Sequence, residues 1–238
     1  MPSEGKLLRP IDLRRDVRAR VVAMFRYLPQ DAVIYDVGCG SKPFEKPLSK
    51  LPCRYIGVDT PNGFYGTGKV DLIGSAYDVP AAGGSADAVL CSQVLEHLER
   101  PVDALREAHR LLRPGGIMIL SFPLLYPLHA APHDYGRYTR YFVRSTVETI
   151  GFDVVEEEAI GGFWYAAGFA AGLYLLEFDR GVVRRIALMR LLIAAIQWTC
   201  RALHSLEGWL LTRFGHDARR VREAWTVNYV FALAKRAA

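Results

Sequence analysis

The sequence predicts an α/β fold, an open and mostly parallel sheet covered by helices, with a helical insertion before the last strand. Three observations carry this. The first is Ala32-Val33-Ile34-Tyr35-Asp36-Val37-Gly38-Cys39-Gly40, an apolar, β-branched run that enters a glycine-bearing turn. Such runs suit strands covered on both faces. The second is that similar runs recur between helix-like segments. The third is the long span from Ala159 to Ala224 between the last two strand-like runs, too long for a plain loop.

The elements follow in order. Ile11 to Leu28 reads as an amphipathic helix, with Val17, Val21, Phe25 and Leu28 on one face. Gly38 and Gly40 let the chain turn sharply after the first strand and approach a ligand closely. Arg54 to Asp59 reads as a second strand ending in an acid. A carboxylate about 20 residues beyond a glycine turn can accept two hydrogen bonds from a ribose diol; the alternative is that Asp59 starts a turn with Pro61-Asn62-Gly63. Lys69 to Ala76 reads as the third strand and Ala86 to Ser92 as a buried fourth. Pro101 to Leu112 reads as a helix with proline in its first turn, stopped by Arg113-Pro114-Gly115-Gly116. Ile117 to Pro123 is the fifth strand, Thr139 to Ile150 a helix stopped by Gly151, Phe152 to Glu157 the sixth strand, and Trp225 to Lys235 the last.

The chain has 238 residues, 51% hydrophobic and 23% charged, a globular composition. The polar Met1 to Arg20 stretch predicts no secretory leader. Cys39, Cys53, Cys91 and Cys200 are scattered, which predicts reduced thiols in a cytoplasmic protein, with no metal site. The net charge is +5, and nine arginines against four acids between Phe163 and Arg222 carry all of it (Arg180, Arg184, Arg185, Arg190, Arg201, Arg213, Arg219, Arg220, Arg222). The balanced remainder argues against a nucleic-acid surface.

Asp36-Val37-Gly38-Cys39-Gly40 resembles motif I of the class I S-adenosylmethionine (SAM)-dependent methyltransferases. Gln93-Val94-Leu95-Glu96-His97-Leu98 resembles the Val-Leu-Glu-His segment of their type 11, small-molecule group. Helix, Arg-Pro-Gly-Gly and apolar strand complete the pattern, so the resemblance runs from Ala32 to Pro123. It implies a Rossmann-like seven-stranded sheet that binds SAM. Asp36, Gly38, Cys39 and Gly40 would border its methionine part and Asp59 its ribose. Ser75 and Ala76 would lie at the adenine, where the family usually has an acid at the position of Ser75. Gln93 and His97 would face the transfer site. The loop Leu124 to Arg140 contains Pro-His-Asp-Tyr-Gly-Arg-Tyr-Thr, similar to a segment of many type 11 enzymes. His133 and Asp134 could orient each other for general-base work on an acceptor hydroxyl, with His129, Tyr135 and Arg137 holding the acceptor. The alternative is that Asp134, Arg137 and Thr139 form an ion pair and a helix cap that shape the loop.

Residues 1–160 and 223–238 are thus expected to form the SAM-binding domain, and 161–222 the apolar, arginine-rich insertion. Phe163 to Leu176 is too short to span a bilayer, at about 21 Å of helix against about 30 Å. The insertion is either a cap over an acceptor or a homodimer interface, where Gly168 and Gly172 permit close helix contact, or a surface that lies on the inner face of a membrane through 163–213. The expected reaction is methyl transfer, at oxygen, to a small-molecule or lipid- or glycan-linked acceptor. The rivals are a non-catalytic membrane-associated SAM-binding protein and a nicotinamide-dependent oxidoreductase; the latter lacks the third glycine of the pyrophosphate fingerprint.

Overall fold

The computed structural model describes residues 11–61, 68–178 and 187–237. The chain divides into two compact units. One joins residues 17 to 158 with those from 228 onward, and the other joins residues up to 16 with those from 159 to 227. The expected insertion, 161–222, falls within the second. Of the calls above, the Asn62-Gly63 turn and Arg180, Arg184 and Arg185 lie outside the described residues, as does the side chain of Arg190.

Seven strands form one sheet: β1 (Ala32–Val37), β2 (Cys53–Asp59), β3 (Leu72–Ile73), β4 (Ala86–Ser92), β5 (Leu112–Pro123), β6 (Phe152–Gly161) and β7 (Thr226–Lys235). Their order is β3-β2-β1-β4-β5-β7-β6. β1 pairs in parallel with both β2 and β4, and β5 pairs antiparallel with β7. The strand order therefore reverses between β1 and β4, so the crevice beyond their carboxyl ends is where this topology binds ligands. β1 and β4 are built of residues buried on both faces, as their β-branched composition predicts.

The sequence misplaces three strand boundaries. β3 keeps two residues of the expected eight, since only Leu72 and Ile73 find partners on β2. β5 begins at Leu112, because the Arg113-Pro114-Gly115-Gly116 segment runs extended instead of making a free turn. β6 continues to Gly161.

The helices show why they start and stop where they do. α1 (Leu13–Ala23) passes into a single 3₁₀ turn, Met24–Tyr27, and α2 (Glu45–Leu48) is a single turn. α3 (Pro101–Leu111) starts on proline and buries Leu105, Ala108 and Leu111. α4 (Arg140–Ile150) is capped by the Thr139 hydroxyl, which accepts from the Phe142 N–H at 3.3 Å, and ends on Gly151 at φ +118°. In the core, Phe122 of β5 stacks on Phe231 of β7 at 5.7 Å; fully buried side chains of this kind contribute about 1.5–3 kcal/mol each.

The second unit holds α5 (Phe163–Phe178), α6 (Ala187–Arg213) and α7 (Ala218–Glu223). A β-carbon on Gly168 would lie 2.6 Å from Cys200 Cβ, and one on Gly172 2.5 Å from Gln197 Nε2. These two small residues, four apart, let α5 and α6 close on each other. Tyr165 donates to Asp16 at 2.8 Å, and Arg201 approaches the same carboxylate at 3.5 Å. No described helix is long and apolar enough to cross a membrane.

Candidate active site

The carboxyl edge of β1 is fastened to that of β2. The main-chain N–H groups of Gly38 and Cys39 both donate to the Val58 carbonyl, and Gly40 N–H donates to Asp59 Oδ2 at 2.8 Å. Asp59 Oδ1 accepts from Thr60 N–H at 2.8 Å. Each oxygen thus accepts one main-chain bond and retains a lone pair for a ligand. Gly38 sits at φ +74° and Gly40 at +49°. A β-carbon on Gly38 would fall 2.5 Å from Val94 Cγ2, so the turn lies directly against the segment that leaves β4. Ser75 and Ala76 follow β3 and are brought beside Asp59, whose carbonyl accepts from Gly74 N–H. Ser75 itself pairs with Asp78 across a small bridge.

Two residues of the turn have buried side chains. Asp36 is 2% exposed and accepts a hydrogen bond from the Tyr55 hydroxyl. It lies under the turn, and burial pushes its carboxyl up to about 7. The Cys39 thiol is buried, and its pKa is raised to about 12 by desolvation and the nearby Asp36. It is therefore an inert thiol that offers the site only its backbone.

The sequence reading missed Lys42. This residue is buried at φ +55°, lies against Gly57 and pairs with Asp71, which also accepts from Gly57 N–H at 2.7 Å. The pair ties the loop after the turn to the β2 edge. The glycine at 57 leaves room for the Lys42 side chain, whose Cε lies 2.4 Å from where a β-carbon would stand, but the pairing is visible only once the strands are in register.

Beyond β4, Gln93 takes a left-handed φ of +59°. Its amide donates to Ser121 Oγ at 3.1 Å and accepts from the buried Asn228 at 3.0 Å. The side chain expected to face the transfer site is thereby bonded to β5 and β7, and its left-handed backbone is what lies at the strand end.

The loop after β5 pairs differently from the expectation. Asp134 does not orient His133. It takes a bidentate bond from Arg137 at 2.6 and 2.9 Å and one from the His129 N–H at 2.9 Å. Arg137, expected to hold the acceptor, also donates to the carbonyls of Tyr126 at 3.1 Å and Pro127 at 3.0 Å. Its fork is committed to the loop, and it holds the Asp134 carboxyl well below the usual range. The ion pair and the Thr139 cap are thus the shaping elements. His133 Nδ1 lies 3.3 Å from the half-exposed Tyr135 hydroxyl, and the cleft of about 400 Å³ beside them is lined by Tyr126, Leu128, Tyr135 and Arg137.

The structure does bring His97 and His129 together, ring centroids 4.7 Å apart. His97 Nδ1 lies 2.7 Å from the His133 carbonyl. A carbonyl only accepts, so Nδ1 carries the hydrogen and Nε2 the lone pair. Burial lowers the His97 pKa, with the neighbouring His129 adding to the effect.

Residues 35–120 match the family model described as a methyltransferase domain, type 11. A ubiquinone biosynthesis O-methyltransferase of Ruegeria pomeroyi is 30% identical over 98 residues, covering 37% of this chain and 40% of that protein. The chain thus spans about two fifths of the length of such curated relatives. Among solved structures, the [4+2]-cyclase SpnF superposes with a TM-score of 0.60 at 15% identity, covering 100% of this chain and 86% of that one. A SAM-dependent methyltransferase of Archaeoglobus fulgidus gives 0.58 at 16% identity, covering 93% and 94%. At such identities the structures speak for the fold alone. Matched domain, glycine turn and strand order agree: residues 35–120 are similar to a type 11 methyltransferase domain, and the sheet has the fold of the class I SAM-dependent methyltransferases.

Proposed function

We propose that this chain methylates a hydroxyl group of a small, partly apolar acceptor. The observation that carries the reading is the Asp59 carboxylate held by Gly40 N–H across the β1–β2 edge, with bare glycine backbone beside it. This arrangement fits a nucleoside with an amino-acid tail: the glycines admit the tail closely, and Asp59 has lone pairs to accept from a ribose diol. SAM, when bound, supplies a methyl group already activated on a sulfonium. The protein's part is to align the acceptor and exclude water. The segment after β4 and the loop after β5 flank the position where the acceptor would stand, and His97 keeps an Nε2 lone pair there, open to a proton or to an ion. Relatives named ubiquinone biosynthesis O-methyltransferases support transfer to oxygen. Calorimetry should show SAM binding with NAD inert, and Asp59→Ala should weaken SAM at least tenfold. Unchanged affinity would remove the ribose assignment.

A membrane surface as the source of an apolar acceptor is supported by α6. Leu206, Trp209 and Leu210 follow helical spacing on α6, Phe214 lies just beyond its end, and Trp209 and Phe214 are 62% and 70% exposed. Arg213, Arg219 and Arg220 lie nearby in the chain and suit anionic headgroups. The wild type should co-sediment with vesicles of anionic phospholipid at low salt. The double variant Trp209→Ser/Phe214→Ser should lose most of that binding and keep its affinity for SAM. A concentration-dependent dimer without vesicle binding would assign the face to a second copy instead.

A further inference from the structure

We infer that Glu96, His97 and His129 form a binding site for one divalent transition-metal ion beside the acceptor position. Glu96 is 0% exposed, and neither of its carboxylate oxygens meets a hydrogen-bond donor from another residue. A buried acid with no donor on either oxygen calls for a missing partner. One candidate ligand atom from each of Glu96, His97 and His129 lies within 4.8 Å of the others. His97 Nε2 is 3.9 Å from Glu96 Oε1. Ligands around a tetrahedral ion stand about 3.4 Å apart, so closure needs side-chain shifts on the order of 1 Å.

The outer contacts are those of ligating histidines. His97 Nδ1 is turned to the His133 carbonyl, and His129 Nδ1 faces the Pro127 carbonyl at 3.2 Å and Asp134 at 3.4 Å. All three are acceptors, so His97 carries its hydrogen on Nδ1 and keeps a lone pair on Nε2, and His129 does the same in the tautomer that donates to Pro127, its shorter contact. Arg137 Nη2, a donor, also lies 3.4 Å from His129 Nδ1 and favours the other tautomer, but its bonds to Asp134 at 2.6 and 2.9 Å are much shorter and hold it there. Two imidazoles and one carboxylate favour Zn²⁺ among the common divalent ions and leave a coordination position open.

The role assigned to the ion rests on the methyl-transfer reading above. The acceptor oxygen takes the open position, its O–H bond breaks, and the proton leaves to water because His97 Nε2 is occupied. The oxygen's electron pair then forms the bond to the methyl carbon, and the carbon–sulfur bond breaks onto sulfur.

The full chain, stripped with EDTA and dialysed, should bind one equivalent of Zn²⁺ by calorimetry, and Co²⁺ in its place should show a visible ligand-field band. Glu96→Gln and His129→Ala should each weaken Zn²⁺ at least tenfold and change SAM affinity less than twofold. If Glu96→Gln does not fold, the half-exposed His129→Ala alone decides the matter. Substoichiometric uptake, or Zn²⁺ affinity that survives the substitutions, overturns the ion site and leaves SAM binding standing. Zn²⁺ bound as expected, with no SAM bound and no methyl group transferred, overturns the methyltransferase reading instead.

Discussion

Gly38→Ala is expected to weaken SAM binding more than a hundredfold and to lower the melting temperature. Two costs add. A residue with a β-carbon held at φ +74° pays about 1–2 kcal/mol for the left-handed backbone. The new methyl would also lie 2.5 Å from Val94 Cγ2 and 3.1 Å from Cγ1. Val94 is short and β-branched, so it cannot swing its end away; relief of such overpacking costs about 1–3 kcal/mol. Every 1.4 kcal/mol spent at the cofactor's side of the turn is about tenfold in affinity. Adding Val94→Ala should restore the steric share and leave the backbone share, so the double variant should bind SAM better than Gly38→Ala and worse than the parent. Unchanged affinity in Gly38→Ala, measured by calorimetry, would mean that the turn does not approach the ligand.

What the sequence makes legible is what repeats locally. Ala32 to Val37 and Ala86 to Ser92 are mostly apolar and buried on both faces, and short apolar runs bounded by turns read as strands. Pro101, Thr139 and Gly151 mark helix ends because their backbone chemistry acts within one turn. Pairing across the fold is not local. Whether Asp134 turns to His133 or to Arg137 is decided by the loop's closure, and residue types alone fit either choice. Glu96 sits in sequence between Leu95 and His97 and reads as a turn residue. Only the return of the loop, where Tyr135 and Gly136 N–H both donate to the Glu96 carbonyl, seals its side chain from water. The apolar neighbours Leu95 and Leu98 were the one hint that this acid is buried. β3 fails for a related reason: Lys69 to Ala76 has strand composition, but an edge needs a partner, and β2 offers one to two residues only.

Asp36→Asn is expected to stabilise the protein at pH 8 and to leave it no more stable at pH 5. Burial, reinforced by the charge of Asp59 and opposed by the Tyr55 hydrogen bond, raises the carboxyl from 3.8 to about 7. Between those values the folded chain holds a proton that the unfolded chain has released. Stability therefore falls as pH rises through this window. The contribution of the neutral acid is complete below pH 4 and gone above pH 7. At about 1.4 kcal/mol per pH unit, the full loss approaches ~4 kcal/mol. Asparagine keeps a carbonyl to accept from Tyr55 and never ionises, so it escapes the penalty. With roughly 2–4 °C per kcal/mol for a domain of this size, melting temperatures at pH 8 should differ by about 8–16 °C in the variant's favour. A destabilising residue retained at the carboxyl end of the central strand fits a function for its charge, since the methionine tail of SAM bears an ammonium group. The same substitution should accordingly weaken SAM binding at pH 8, where it strengthens the fold, and have a smaller effect on binding at pH 5. If Asp36→Asn melts lower than the parent at pH 8, the buried carboxyl is not strained, and its place beneath the turn is a matter of packing alone.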